Sequence, residues 1–215
     1  MTAPALPPGL TTRLRSLELP LGLPVHLKTL KAERLVEVWA AQGSGRFTLL
    51  KAYPVLALSG GPGPKLREGD GQAPEGFYRI NARHLNPKSA FHLGINLGFP
   101  NAHDRQAGWT GSALMIHGGA RSVGCFALGD AAIEEVYGLV AAALDAGQAE
   151  IAVHALPFRF TAEVSGLTPF WQSLAEGERR FAATGRPPLV GALGGAYVFD
   201  LDVETTECER IAAWA

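Results

Sequence analysis

ALMIHGGARSVGCFAL, residues 113–128, sets two short apolar runs, 113–116 and 126–128, on either side of a loop of small residues. Apolar runs of this length bounded by glycine predict strands. If they pair as an antiparallel ladder, His117 and Cys125 stand at the two mouths of the loop. Directly opposed Cβ atoms on such a pair lie about 4.5–5.5 Å apart, close enough for an imidazole to reach a thiol. The thiolate is the nucleophile of cysteine chemistry, and a neighbouring imidazole can take its proton. Gly124 lets backbone N–H groups approach a substrate carbonyl, as an oxyanion hole requires. A helix starting near Asp130, if aimed at the thiol, would favour its ionised form. The same residues also read as packing, because free cysteine in an apolar strand is a common core residue.

Outward from this stretch, Ile133, Val136, Tyr137, Val140 and Leu144 form one apolar stripe of a helix, with Asp130 as N-cap and Gly147 as stop. Residues 149–155 then read as a buried strand, 169–183 as a second helix and 189–202 as a final strand. Upstream, 35–40 and 46–53 flank Gly43-Ser44-Gly45, a hairpin of two half-buried strands, and Val25 to Lys28 alternates in the same way. Val55 to Leu58 reads as a continuation of the second hairpin strand past Pro54. Residues 59–76 form a long Gly/Pro-rich surface loop of the kind that is functional or mobile, and 77–80 the next strand. Strands first, then helices, predict an α+β, β-rich fold. The division expected is an N-terminal tail (1–23), a catalytic domain (24–156) and a C-terminal extension packed on it (157–215).

Composition excludes more than it identifies. The 215 residues carry 19 basic and 20 acidic side chains, a net charge of −1, so no basic footprint for nucleic acid or anionic membrane exists. Two cysteines cannot build a disulfide scaffold. No run approaches the ~18 apolar residues of a membrane span. Five prolines interrupt the first 24 residues, which lack the basic and apolar runs of a signal peptide. The chain is therefore either cytosolic or an exported protein given without its leader.

His84, His92, His103 and His117 match no zinc spacing, so neither metal nor cofactor is expected. His92 is a candidate for substrate binding, and Asn101, Asp104 and Arg105 for contacts to a charged peptide, although Pro-Asn and Asp-Arg are also turn chemistry. Lys65 to Asp70 reads as a solvated loop or part of a lid. Gly60 to Pro64 lacks the ending of a phosphate-binding loop. Cys208, among charges near the C-terminus, reads as incidental.

The pattern His117-Gly118 followed by Ser122-Val123-Gly124-Cys125 resembles the core signature of the L,D-transpeptidase catalytic domain. Gly69-Asp70, Ala73-Pro74-Glu75-Gly76, Asn86-Pro87-Lys88-Ser89, Phe91-His92-Leu93 and Phe99-Pro100-Asn101 extend the likeness to the YafK-like branch. Ile133-Glu134-Glu135-Val136-Tyr137 continues it downstream. Many transpeptidases carry Arg where this chain has Ala127, but Ala is common in that branch. The resemblance implies a curved antiparallel sheet or sandwich with a helix after the cysteine. It implies Cys125 as nucleophile, His117 as base, the Gly118 carbonyl as its orienter, and the N–H groups of Gly124 and Cys125, in the Ser122 loop, as oxyanion donors. The implied substrate is a peptidoglycan stem peptide, with a peptidoglycan-linked lipoprotein as a further partner. The implied compartment is periplasmic or exported. A non-catalytic muropeptide-binding domain of the same fold is the alternative, and a cytosolic cysteine hydrolase of another substrate the third reading.

Overall fold

A computed structural model describes residues 8–16, 19–161, 166–200, 203–204 and 207–212. In chain order its elements are α1 (Pro8–Ser16), β1 (Val25–Leu30), β2 (Leu35–Gln42), β3 (Arg46–Pro54), β4 (Ala57–Leu58), β5 (Gly76–Ile80), β6 (Leu85–Asn86), β7 (Gly94–Asn96), α2 (Ala102–Gln106), β8 (Met115–His117), β9 (Phe126–Ala127), α3 (Asp130–Asp145), β10 (Ile151–Leu156), α4 (Pro169–Thr184), β11 (Val190–Leu193), β12 (Ala196–Phe199) and β13 (Glu209–Arg210). They assemble into two five-stranded sheets, β3-β2-β1-β10-β5 and β4-β9-β8-β7-β6, and a three-stranded sheet, β12-β11-β13. The fold is α+β and β-rich, as the sequence predicts.

The β2–β3 hairpin closes where expected, Gln42 opposite Arg46, with a bulge between Val38 and Trp39. β1 departs from the half-buried reading: all six of its residues are buried. Val25 and Leu27 belong to the core shared with α3 and the second sheet. His26 and Lys28, of opposite parity, face α4, where both contact Phe181. A polar strand face is thus covered by a helix rather than by water. α4 is placed there by Thr168, whose hydroxyl caps Trp171 N–H, and ends at Gly185 in the left-handed conformation. It buries Leu174 and Phe181, each worth about 1.5–3 kcal/mol. Gly177 is the close approach: a Cβ there would lie 2.3 Å from the Phe77 ring.

Several expectations change. Residues 8–16 of the tail form α1, and its Leu10 and Leu14 are buried in the main core. Residues 1–7 and 17–18, and 201–202 of the last expected strand, lie outside the described residues. That strand is a hairpin, β11 and β12. Val55 to Leu58 does not prolong β3: Val55 bonds Arg34 O, and Ala57-Leu58 joins β9 in the second sheet. β8 and β9 are parallel, Ile116 beside Phe126 and His117 beside Ala127, not antiparallel. Parallel neighbours normally need a crossover of a dozen or more residues. Here residues 118–125 make it alone, and from sequence so short a link looks like a hairpin loop.

The 59–76 segment is held rather than loose. Lys31 and Glu75, both with fully buried side chains, pair at 3.1 Å. The Lys31 ammonium donates to the carbonyls of Gly61 and Gly63, and Glu75 accepts from Gly63 N–H and from the Trp171 indole of α4.

Candidate active site

Cys125 immediately precedes β9, and the N–H of Met115 in the neighbouring strand β8 donates to its Sγ at 3.4 Å. His117 follows two residues along the same strand, roughly 7 Å further. Its Nδ1 sits 2.6 Å from the Gly118 carbonyl. A carbonyl only accepts, so Nδ1 carries the proton and Nε2 is the basic nitrogen. The imidazole is buried and stacked on Phe91 at 4.6 Å, a ring that is itself 46% exposed. Burial lowers the His117 pKa against the Gly118 bond, which raises it. Burial likewise pushes the Cys125 thiol up, opposed by the Met115 N–H and the charge of Lys65. Both shifts run toward the neutral forms, thiol and imidazole.

Gly118 has no room for a side chain, because a Cβ would fall 2.6 Å from Phe91 O and 2.7 Å from Asp130 Oδ1. Asp130 does not cap its own helix. Gly129 is the cap residue of α3, and the Asp130 carboxylate accepts from Gly119 N–H at 2.8 Å, tying the crossover loop to α3.

Gly124, at φ +82°, adopts a backbone that glycine favours. Its N–H donates to Ser59 Oγ at 2.5 Å, and the Cys125 N–H donates to Ser122 Oγ at 2.9 Å. Ser122 in turn donates to the Cys125 carbonyl, and Ser59 to the carbonyl of Gly71. Both N–H groups that the family likeness nominates as oxyanion donors therefore already meet hydroxyl oxygens.

The remaining sequence candidates are bound into the fold. His92 Nε2 lies 2.7 Å from Glu134 of α3. Asn101 caps α2, and its amide donates to Phe77 O and Tyr197 Oη. Asp104 is fully buried, closes the same capping box and accepts from Tyr78 Oη at 3.1 Å. Arg105 pairs with Glu209 of β13 and donates to Pro100 O. None of these four makes a bond to Cys125 or His117, and among the described residues no group of three His, Cys, Asp or Glu is placed to hold a metal.

Two neighbours escaped the sequence reading. Ser59 comes from the start of the long loop and carries no local signal. Lys65 reads as solvated yet is 3% exposed. Its ammonium donates to Asp70 and Arg67 O, while Asp70 also accepts from the N–H groups of Leu66, Arg67 and Gln72. Burial opposes ionisation of Asp70, but these donors hold its carboxyl well below the usual carboxylate range. The Lys65–Asp70 pair, five residues apart in a Gly/Pro-rich loop, was the available signal.

Comparison with known proteins places this geometry. YafK of Escherichia coli strain K12, an L,D-transpeptidase by name, is 39% identical over 184 residues, which is 83% of this chain and 74% of YafK. The protein of that name in strain O157:H7 matches equally. Among solved structures, the helical cell shape determining protein Pgp2 of Campylobacter jejuni superposes with a TM-score of 0.50 at 21% identity, over 70% of this chain. The chain spans 56% of Pgp2, so the likeness is one of fold. The L,D-transpeptidase catalytic domain family (YkuD) matches residues 25–164. With the His117-Gly118 and Ser122–Cys125 segments inside that match, the chain belongs to the L,D-transpeptidase catalytic domain family.

Proposed function

We propose that this protein is a cysteine acyltransferase or amide hydrolase acting on peptidoglycan stem peptides in an exported, periplasmic setting. One observation carries the reading: His117 Nδ1 is locked on the Gly118 carbonyl at 2.6 Å, leaving Nε2 as the basic nitrogen, two residues along the strand whose Met115 N–H meets Cys125 Sγ.

In this reading His117 Nε2 takes the Cys125 proton as Sγ attacks the carbonyl at the L-centre of meso-diaminopimelate. The tetrahedral oxyanion collapses to a thioester as the bond to D-alanine breaks, and imidazolium returns the proton to the leaving amine. An amine or water then releases the acyl group, and a peptidoglycan-linked lipoprotein is one source of the amide. Starting from a neutral thiol and a neutral imidazole, proton transfer accompanies attack. The donors for the oxyanion are the N–H groups of Gly124 and Cys125, provided the Ser59 and Ser122 hydroxyls give way or share them.

Mass spectrometry after incubation with a disaccharide-tetrapeptide, or with a carbapenem, tests this. A covalent adduct on Cys125 that Cys125→Ala lacks is expected, and unmodified protein with both compounds overturns the proposal. The engaged donors favour one second reading, a muropeptide-binding domain without turnover. There, binding survives Cys125→Ser and no adduct forms.

A further inference from the structure

A cavity of about 710 Å³ lies on the other side of the molecule, walled by β1, β2, β3, α4 and the segment after β10, and shares no residue with the Cys125 site. Its volume is in the range of small-molecule sites. Its floor is Lys28, only 4% exposed, with its ammonium 3.9 Å from the Phe181 ring centroid, 4.9 Å from that of Trp39, and 2.5 Å from Glu178. Burying an ammonium costs several kcal/mol unless it is compensated, and the Glu178 carboxylate, further tied to His154 at 2.5 Å, provides the compensation.

Three guanidiniums line the same cavity: Arg46 of β3, Arg159 beyond β10 and Arg179 of α4. Arg159 spends one nitrogen on Glu37, and Arg179 pairs with Glu176. Arg46 is exposed and has no carboxylate partner among the described residues. Each guanidinium offers five N–H donors, so the wall holds many more donors than its carboxylates consume. Four cations face Glu178 alone within the lining, in a chain whose overall charge is −1. Between the cations, Trp39, Phe47, Phe160 and Phe181 supply apolar ring faces.

We infer that this cavity is a second ligand site, for a small carboxylate borne on a ring or short apolar body. Guanidiniums on three separate elements suit a planar carboxylate, and the aromatic walls suit the body that carries it. The near-neutral chain offers no extended cationic footprint for a polyanion, so the cations of this cavity suit a small anion. The site is independent of catalysis at Cys125.

The test uses Cys125→Ala protein, to prevent turnover, titrated calorimetrically with three probes: benzoate, N-acetylmuramic acid, and L-alanyl-γ-D-glutamyl-meso-diaminopimelate. Binding of at least one, weakened by added salt, is expected. Arg46→Glu should weaken it at least about tenfold with an unchanged melting temperature. In protein retaining Cys125, the same substitution should leave carbapenem labelling unaltered, which separates this inference from the proposed function. Tighter binding of the muramic acid identifies a glycan source, and tighter binding of the tripeptide a peptide source. No binding of any probe at millimolar concentration, or affinity indifferent to Arg46→Glu, overturns the inference.

Discussion

Two buried pairs, one on each sheet, treat their titratable groups in opposite ways. At the crossover loop of the second sheet, Cys125 and His117 are desolvated without a countercharge in hydrogen-bond contact, and both are pushed toward their neutral forms. Under α4 on the first sheet, Lys28 and Glu178 are also desolvated but paired. Burial works against ionisation of Glu178, yet His154 and Lys28 hold its carboxyl at about 2. Neutral groups at the crossover loop can give or take a proton, whereas a paired buried charge anchors a helix. The comparison separates reactivity from architecture among residues that burial alone would not distinguish.

The strongest way to break it is at His117. Replacing it with Gln keeps a polar side chain but removes the base, and the acylation rate of Cys125 should fall by about 10²–10⁴-fold, read by time-resolved mass spectrometry. On the other sheet, Glu178→Gln should leave that rate unchanged while lowering stability by about 3–5 kcal/mol, since Lys28 loses its charge partner. Urea denaturation measures this, and a Lys28→Met/Glu178→Leu double substitution should recover most of the loss.

The pH profile sharpens the contrast further. A base whose pKa is lowered stays active as pH falls below 6.5, the ordinary histidine value, and loses activity only on protonation below it. A raised thiol puts the alkaline limb above 9.0. A broad plateau of acylation between the limbs is expected, and a rise centred on 7 would contradict the neutral pair. The smallest effect is at Ser59. Removing its hydroxyl with Ser59→Ala frees the Gly124 N–H, and labelling should accelerate about two- to tenfold, the worth of one hydrogen bond. A slower or unchanged rate would mean that the hydroxyl does not compete with substrate.

What could be read beforehand followed locality. The β2–β3 hairpin and α3 are legible because turn residues and the 3.6-residue stripe lie within one window. The pairing of His117 with the Gly118 carbonyl followed from adjacent residues once the family likeness was recognised. The parallel β8–β9 pairing was hidden because eight residues suffice for a crossover here. Lys28, on the polar parity of its strand, and Lys65, in a loop, read as solvated, and both are buried because the groups that satisfy them, Glu178 and Asp70, are brought to them by tertiary packing or by loop closure. Asn101, Asp104 and Arg105 looked like surface turn chemistry facing a ligand, yet their bonds run to the chain itself.

The single carboxylate of Glu75 links segments that the family match divides. One oxygen holds the Gly63 turn of the loop that carries Ser59, and the other accepts from Trp171, which lies beyond the matched residues 25–164. A chain trimmed at that boundary would strip the indole from Glu75 and expose the Lys31 pair to water. The polypeptide after residue 164 is therefore a structural brace for the loop that carries Ser59, and shortening it should loosen that loop from behind without touching Cys125.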